Sequence, residues 1–209
     1  MKECAKVSTG TISTCGHPVM QDDLFGITAT PPASPKMFCI QDISKGVAAE
    51  VYKESHYFGD KGFLHVYSFG AVFDSFCWGA ITYGIPNARN ISGLYKSDEQ
   101  HGVLEITRLA FREGSPRNSP SRLISQSIKL LQKRYPLRLV ITYADTAQGH
   151  TGGIYKASNF TYHGLTAQKT DFVHPDGSIK KMKGVKYSEM EGEWIKRSRK
   201  HLFSFQPAC

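Results

Sequence analysis

The sequence predicts an α/β fold in which a mixed β-sheet is flanked by helices. Stretches with strand-like alternation are interleaved with stretches of helical periodicity, in the order strand, helix, three strands, helix, strand, helix, strand. The chain has 209 residues, of which 40% are hydrophobic, so one domain can bury a sizeable core. No apolar run approaches the roughly 18 residues of a membrane span, and we expect no integral membrane protein.

The first 36 residues are predicted to form an irregular arm. They are rich in Ser, Thr, Gly and Pro and end in a Pro-rich stretch. The first secondary-structure element is expected to be a short apolar strand at residues 37–40. Residues 45–55 then favour a helix, because Ser44 is a typical N-cap and apolar side chains recur behind it at helical spacing.

Three strands are predicted next. Residues 63–67 and 71–83 are apolar enough for two strands, and we expect a hairpin turn at Phe69-Gly70. Residues 103–111 alternate well enough for a third strand, with a slip in parity that indicates a β-bulge.

The clearest helix follows residue 118. Ser119 is the expected cap, Pro120 occupies the first turn, and the apolar face that follows ends before Pro136. A short buried strand is predicted at 139–142.

The rest of the chain carries shorter signals. Residues 152–158 indicate a short helix and residues 160–165 a strand. Pro175-Asp176-Gly177 is a strong turn signal between the apolar pairs 172–173 and 178–179. A last amphipathic segment covers residues 188–200.

This order of elements is that of the GNAT acyltransferase fold, so the sequence predicts a GNAT-like α/β sheet flanked by helices. We divide the chain accordingly into the arm at 1–36, a catalytic domain at 37–185 and a basic C-terminal segment at 186–209.

The positive charge is concentrated near the C-terminus. The chain has 26 Lys and Arg against 18 Asp and Glu, a net charge of +8. This basic and partly aromatic segment suits a polyanionic partner such as nucleic acid. The alternative is a charged surface that contacts only solvent. Between residues 180 and 201 the basic residues are Lys180, Lys181, Lys183, Lys186, Lys196, Arg197, Arg199 and Lys200, against Glu189, Glu191 and Glu193.

The compartment is predicted to be the cytoplasm. The first 36 residues lack the basic start and apolar stretch of a signal peptide. The five cysteines lie far apart without a CxxC pair, so we expect free thiols, and core packing for Cys39 and Cys77.

The junction between residues 108 and 122 is a candidate phosphate site. A strand leads there into a helix, and the free N–H groups of a helix start attract phosphate. A capped helix with solvated arginines is the alternative, and the loop has only Gly114 where the usual GNAT loop is glycine-rich. The candidate donor-binding residues are Arg112, Arg117, Asn118, Ser119 and Ser121.

A second candidate site surrounds Asp145, which follows a buried strand. Asp145, His150 and Tyr155, with His56 and Tyr57 from an earlier loop, supply carboxylate, imidazole and phenol groups. Such groups can ligate non-haem iron or act in acid–base chemistry, and each is also common as a structural hydrogen-bonding residue. The spacing matches no compact metal motif.

Several motifs together resemble the Mom family of phage DNA-modification proteins. They cover most of residues 37–165. They are KESHYFG at 53–59, GAITYGIPNARN at 79–90, ITRLAF at 106–111, YADTAQGHTGGIYKASNF at 143–160 and TYHG at 161–164.

The resemblance implies a GNAT-like enzyme that acts on double-stranded DNA in the cytoplasm of the host cell. Members of the family convert the exocyclic amine of adenine to a methylcarbamoyl derivative, which shields phage DNA from host restriction enzymes. It also implies an acyl-CoA donor, acetyl-CoA foremost, and a bound iron.

The resemblance also implies roles for individual residues. His56, Tyr57, Asp145 and Tyr155 match the residues around the metal, and Asp145 and Tyr155 are catalytic candidates as well. Arg108 and Ser121 match positions for donor binding or catalysis, and Ser119 is an alternative to Ser121. The oligomeric state stays open, with a homodimer as one option.

Two other functions fit the same residues. One is an ordinary GNAT acetyltransferase that acts on a small-molecule or protein amine without DNA. The other is a non-catalytic DNA-binding protein without a donor site, which the departure from the glycine-rich loop keeps open.

Overall fold

The structure is a computed structural model that describes residues 29–60, 62–177 and 191–207. The chain divides into two compact units, one running to Val140 and taking in Gln206, the other covering Ile141–Phe205. The predicted α/β class is confirmed, with mostly antiparallel strands and flanking helices. No helix in the described ranges is long and apolar enough to cross a membrane.

The first unit contains four antiparallel strands. They are β1 (Cys39–Asp42), β2 (Tyr67–Phe73), β3 (Phe76–Gly84) and β4 (Val103–Phe111), and their order in the sheet is the order in the chain. A 3-10 turn at Pro35–Met37 precedes β1. The strand predicted at 37–40 therefore begins two residues later than expected.

Helix α1 (Lys45–Ser55) has the predicted bounds and the predicted cap. The Ser44 hydroxyl accepts a hydrogen bond from the Val47 N–H at 3.2 Å. Such a cap satisfies one of the N–H groups that a helix start leaves without a partner. The side chains that α1 buries are Ala48, Val51 and Tyr52.

Helix α2 (Ser119–Gln132) has a different cap from the one that the sequence predicts. Its N-cap is Asn118, in the left-handed region at φ 71° and without a capping side chain. The Ser119 hydroxyl instead donates to the Pro116 carbonyl at 2.5 Å. Ser119 is therefore the first helical residue, with its hydroxyl directed to the preceding loop.

The two helices cover opposite faces of the four-stranded sheet. Thr82 of β3 hydrogen-bonds Tyr52 of α1, at 2.8 Å between their oxygens. The next residue, Tyr83, hydrogen-bonds Ser127 of α2 at 2.7 Å. Neighbouring residues of a strand point to opposite faces, so α1 and α2 lie on different sides.

The hairpin turn between β2 and β3 lies at Asp74-Ser75, and the prediction of a turn at Phe69-Gly70 is wrong. Both turn residues have positive φ, 49° and 62°. Gly70 lies inside β2, where a Cβ would come within 2.8 Å of Ile43 and 2.9 Å of Cys77. Glycine is present here because neighbouring side chains approach the backbone closely.

The bulge predicted in β4 is confirmed. Thr82 pairs with Arg108 and Tyr83 pairs with Ile106, so Thr107 is the extra residue. Its hydroxyl donates to the Leu64 carbonyl at 2.8 Å. A bulge of this kind changes the direction in which the following side chains point.

The second unit combines a short sheet with a separate hairpin. Strand β5 (Leu139–Asp145) leads to helix α3 (Gly153–Lys156) and strand β6 (Thr161–Leu165), and in the sheet β9 (Lys200–Phe205) lies between β5 and β6. Strands β7 (Thr170–Val173) and β8 (Glu193–Lys196) pair with each other. The predicted turn at 175–177 is present, while residues 178–179 lie outside the described ranges.

The segment at 188–200 forms strand β8 and the first residue of β9 where it is described, while residues 188–190 lie outside the described ranges. Strand β9 is absent from the elements predicted above. Strand β9 pairs antiparallel with β6, with Thr161 opposite Ser204. The alternating pattern of β9 is short and directly follows several basic residues, so it does not stand out as a strand. The pairing with β6 also joins residues about forty positions apart.

Two of the cysteines, Cys39 and Cys77, lie in the described ranges. Cys39 is disulfide-bonded, so the expectation of a free thiol is wrong for this residue. Cys77 is a buried thiol outside any disulfide bond, as expected.

Replacing Gly70 with alanine tests the close approach within β2. We expect Gly70→Ala to lower the free energy of unfolding by about 1–3 kcal/mol, because the new methyl group overlaps Ile43 and Cys77. Urea denaturation measures this loss. The control is Gly46→Ala in α1, where a Cβ meets only Ser44 at 3.6 Å. Equal stability of the two variants would contradict the packing described.

Candidate active site

The position of Arg108 follows from the pairing of β4 with β3. Arg108 lies opposite Thr82, and cross-strand partners share a face of the sheet. Thr82 is also the residue that hydrogen-bonds Tyr52 of α1. Arg108 is therefore on the face that α1 covers.

Three consecutive aromatic side chains lie beside Arg108. We call His56, Tyr57 and Phe58 the aromatic platform. Helix α1 ends at His56, whose N–H donates to the Tyr52 carbonyl at 3.0 Å. The His56 ring then accepts a hydrogen bond from the Phe58 N–H at its Nδ1 atom, at 3.1 Å. The Arg108 guanidinium lies 5.1 Å from the centre of the Phe58 ring, so the structure brings the predicted residues His56, Tyr57 and Arg108 together.

The Arg108 guanidinium is half-buried. Burial lowers the pKa of Arg108 from its ordinary value, and the nearby phenols of Tyr57 and Tyr52 oppose that shift. One guanidinium nitrogen also donates to the Thr107 carbonyl at 2.9 Å. A positive charge with reduced contact to water interacts more strongly with a negative charge that develops next to it.

The start of α2 presents polar groups to solvent. The first backbone hydrogen bond of the helix runs from the Arg122 N–H to the Asn118 carbonyl, at 3.1 Å. Ser121 precedes Arg122, so its N–H is one of those for which the first turn of a helix provides no backbone acceptor. Its hydroxyl has no hydrogen-bond partner among the described residues, and Arg117 and Asn118 are exposed. Arg117, Asn118 and Ser121 thus offer polar or charged groups at this helix start, and their part in donor binding stays a prediction.

Arg112 has a different environment from the other donor-binding candidates. Its guanidinium is buried, forms an ion pair with Glu54 at 2.9 Å and lies 4.3 Å from the centre of the Phe76 ring. These contacts give Arg112 a structural role. Its part in donor binding stays a prediction.

Asp145 lies at the carboxyl end of β5, three residues beyond the predicted end of the strand. The side chain is buried. Its Oδ1 atom accepts hydrogen bonds from the Ala147 N–H and the Ser198 hydroxyl, each at 3.0 Å. The ammonium of Lys200 lies 3.8 Å from Oδ2. These contacts fix the orientation of the carboxyl group.

Ser198 and Lys200 are site residues that the sequence argument missed. Ser198 lies between β8 and β9 and Lys200 is the first residue of β9, both in the basic segment for which the sequence predicts a DNA partner. The Thr146 hydroxyl, beside Asp145, also donates to the Arg199 carbonyl at 2.6 Å. No local signal in the sequence could have joined these residues to Asp145, because they are more than fifty positions away and meet it only through the β9 pairing.

The basic residues of this segment have structural partners. Arg197 forms a bidentate ion pair with Asp171. The Arg199 guanidinium donates to the Thr166 carbonyl at 2.7 Å. Of the described basic residues in this segment, Lys196 is the one left without such a contact. The predicted residues Lys180, Lys181, Lys183 and Lys186 lie outside the described ranges.

Tyr155 lies in an aromatic core of the second unit. Its ring centre is 5.6 Å from that of Phe203 in β9 and 5.7 Å from that of Phe160. Gly152, at φ 74°, starts α3, and a Cβ on it would come within 2.2 Å of the Phe203 ring. The glycine thus lets β9 pack against the helix that carries Tyr155. His150 donates its N–H to the Asp145 carbonyl at 3.2 Å, and the residue is exposed.

Comparison with known families identifies the chain. The model of the Mom protein family matches residues 37–206. The chain belongs to the Mom protein family. The match continues well past residue 165, where the recognisable motifs end, and it includes Ser198 and Lys200.

A curated relative of this Mom-family chain is the methylcarbamoylase Mom of Escherichia phage Mu. It is 29% identical over an alignment of 144 residues, and the match covers 66% of this chain and 57% of that protein. The chain thus spans little more than half of the length of this relative.

A solved structure supports the fold. The ribosomal-protein-S18-alanine N-acetyltransferase from Escherichia coli is similar over 83% of this chain and 96% of its own chain, with a TM-score of 0.52 and 11% sequence identity. This likeness confirms the predicted GNAT-like fold and shows nothing beyond the fold.

The four residues that the Mom family implies for iron do not form a ligand set within either unit. His56 and Tyr57 belong to the first unit, and Asp145 and Tyr155 belong to the second. Among the described residues no group of three or more His, Cys, Asp or Glu side chains could hold a metal ion. One oxygen of Asp145 already accepts two hydrogen bonds, and the Nδ1 atom of His56 accepts one. The structure therefore gives iron no support, and we derive no step through it.

The hydrogen bond from Ser198 to Asp145 can be tested by substitution. We expect Ser198→Ala to lower the free energy of unfolding by about 1 kcal/mol, because a buried carboxylate loses one donor. The control is Ser198→Thr, which keeps the hydroxyl. Thermal unfolding of the two variants measures the difference, and identical curves would show that the hydroxyl does not hold the carboxylate.

Proposed function

We propose that this chain is a GNAT-like transferase that converts the exocyclic amine of adenine in double-stranded phage DNA to a methylcarbamoyl derivative. An acyl-CoA, acetyl-CoA foremost, is the proposed donor, and protection from host restriction enzymes is the proposed consequence. The similarity to methylcarbamoylase Mom over 144 residues carries this proposal. The GNAT-like fold supports it, because other proteins with this fold transfer acyl groups.

The start of α2 is the proposed donor site. Ser121 offers its N–H and its hydroxyl there, and Arg117 adds a positive charge that solvent and ligands can reach. The N-terminal end of a helix favours negative charge, which suits the phosphate groups of coenzyme A. Asn118 and Ser119 shape the turn that leads into this helix. The arrangement replaces part of the glycine-rich loop that this chain lacks.

The amine of adenine needs help as a nucleophile, because its lone pair is delocalised into the ring. In an acyl-type transfer the nitrogen forms a bond to the carbonyl carbon, the bond from that carbon to sulfur breaks, and the thiol leaves, so that acetyl-CoA alone would give an N-acetyl adenine. The methylcarbamoyl group holds one nitrogen atom more, which a second co-substrate, ammonia or an amine, must supply. The amine proton must pass to a base. We assign that role to Asp145, whose side chain is held in place by the Ser198 hydroxyl and the Lys200 ammonium.

The other catalytic candidates stabilise charge or move protons. Arg108 is half-buried and positively charged, so it suits the negative charge that develops on the carbonyl oxygen. The Tyr155 phenol is the second group that we assign to proton transfer. DNA is the proposed partner, and the net charge of +8 favours its phosphates.

Mass spectrometry of nucleosides tests the proposed function. DNA from cells that express the chain is expected to contain a modified deoxyadenosine. Asp145→Ala should reduce its amount by about 100-fold or more, the usual loss when a general base is removed, while DNA binding persists. The control is Asp98→Ala, which removes an exposed carboxylate from a 3-10 turn.

The other outcomes of this experiment separate the competing functions. Unmodified DNA from folded protein would overturn the proposal. Acetylation of a small-molecule or protein amine without DNA would identify an ordinary acetyltransferase. Tight DNA binding without any transfer would identify a non-catalytic binding protein.

The donor site can be tested separately with substitutions at the start of α2 and a control substitution in its last turn. We expect Arg117→Gln to weaken acyl-CoA binding about 1.5- to 5-fold, because an exposed ion pair contributes about 0.2–1 kcal/mol. Ser121→Ala should weaken binding similarly. Lys129→Gln, which removes one charge from the last turn of the helix, is the control. Calorimetric titration measures the three affinities, and a loss with Lys129→Gln alone would place the donor elsewhere.

A further inference from the structure

The aromatic platform exposes two large rings side by side. Tyr57 is 44% exposed and Phe58 is 50% exposed. Single exposed aromatic residues are common on protein surfaces, whereas adjacent ones form a patch that suits an aromatic ligand. Phe58 contributes no hydrogen-bonding or metal-binding atom from its side chain, so the proposed chemistry gives this residue no part.

The three rings of the platform contact one another. The ring centres of His56 and Tyr57 are 4.4 Å apart with 22° between their planes, and those of Tyr57 and Phe58 are 4.3 Å apart. The hydrogen bond from the Phe58 N–H to His56 fixes the backbone between them. The loop is thus held in one arrangement before any ligand arrives, which reduces the entropy that binding loses.

Arg108 gives the platform its charge. Its guanidinium contacts the Phe58 ring, and burial has removed part of its water. A cation beside exposed rings favours an aromatic ligand that carries negative charge. A nucleotide has both parts, a base with a π-face and a phosphate.

We propose that Tyr57 and Phe58 form a stacking surface for an unpaired purine base of DNA. This inference rests on the proposed function, in which an adenine must leave the duplex before its amine can react. A base outside the helix loses its stacking partners, and aromatic side chains replace them. An apolar protein partner is the other occupant that such a patch could take. The neighbouring guanidinium and the net charge of the chain favour the nucleotide.

Fluorescence of 2-aminopurine tests this inference, because the fluorescence of this base is quenched when it stacks. The probe is a short single-stranded oligonucleotide with one central 2-aminopurine, so that no base pair has to open and no target sequence is needed. The full chain should quench the probe on binding. Phe58→Ala and Phe58→Leu should bind it about 5- to 140-fold more weakly, which corresponds to about 1–3 kcal/mol of stacking at 1.4 kcal/mol per tenfold change.

Two further variants separate stacking from other effects. Phe58→Tyr keeps the ring and should restore quenching. Ile85→Ala removes another exposed apolar side chain of the first unit, 57% exposed, and should leave quenching unchanged. Binding by Phe58→Leu that equals wild-type binding would overturn the inference, since an apolar contact without a π-face would then suffice.

The outcomes distinguish this inference from the proposed function. Quenching that depends on Phe58, without any modified deoxyadenosine in DNA, would support the stacking surface and contradict the enzyme activity. Modified deoxyadenosine together with undiminished base binding by the Phe58 variants would support the activity and overturn the stacking surface.

Discussion

Two buried hydrogen bonds of the Thr82 hydroxyl hold the first unit in the arrangement on which its site depends. The Thr82 oxygen lies 2.8 Å from the Tyr52 oxygen and 2.7 Å from the Ser68 oxygen, which ties helix α1 to strands β2 and β3. A buried hydroxyl without a partner costs about 1–3 kcal/mol, so the three groups fix one register between helix and sheet. Arg108 pairs with Thr82, and the aromatic platform follows the helix that Thr82 holds. The contact between Arg108 and Phe58 is thus a consequence of this register.

Asp145 depends on a different constraint, the insertion of β9 between β5 and β6. That insertion brings Ser198 and Lys200 to the carboxylate. It also gives Arg199 and Lys200 structural partners, and Arg197 pairs with Asp171 of β7, so positive charge in the sequence does not by itself identify a DNA contact. The same pairing requires Gly152, since the ring of Phe203 occupies the space of a side chain there. The position of β9 therefore determines the partners of Lys200, the packing against Gly152 and the orientation of the Asp145 carboxyl group.

Much of the fold could be predicted because its signals are local. The bounds of α1 follow from the Ser44 cap and a helical pattern within eleven residues, and the bulge in β4 appears as a slip in alternation. The failures share one cause. Glycine is common in turns, but Gly70 lies inside a strand. A glycine is needed there because the side chains of Ile43 and Cys77, from other parts of the chain, approach its backbone closely. Strand β9 was missed for the same reason, because its pairing with β6 joins segments about forty positions apart.

The sequence by itself determined the GNAT-like class, the extent of the main helices and the residue types of the candidate site. It also determined membership of the Mom protein family, since the motifs between residues 53 and 164 are recognisable without coordinates. Only the tertiary structure decided which groups share an environment. It placed Arg108 against Phe58, Arg112 against Glu54, and Ser198 and Lys200 against Asp145. The physical reason is that strand pairing and helix packing join residues from distant parts of the chain, and no local pattern encodes which residues they join.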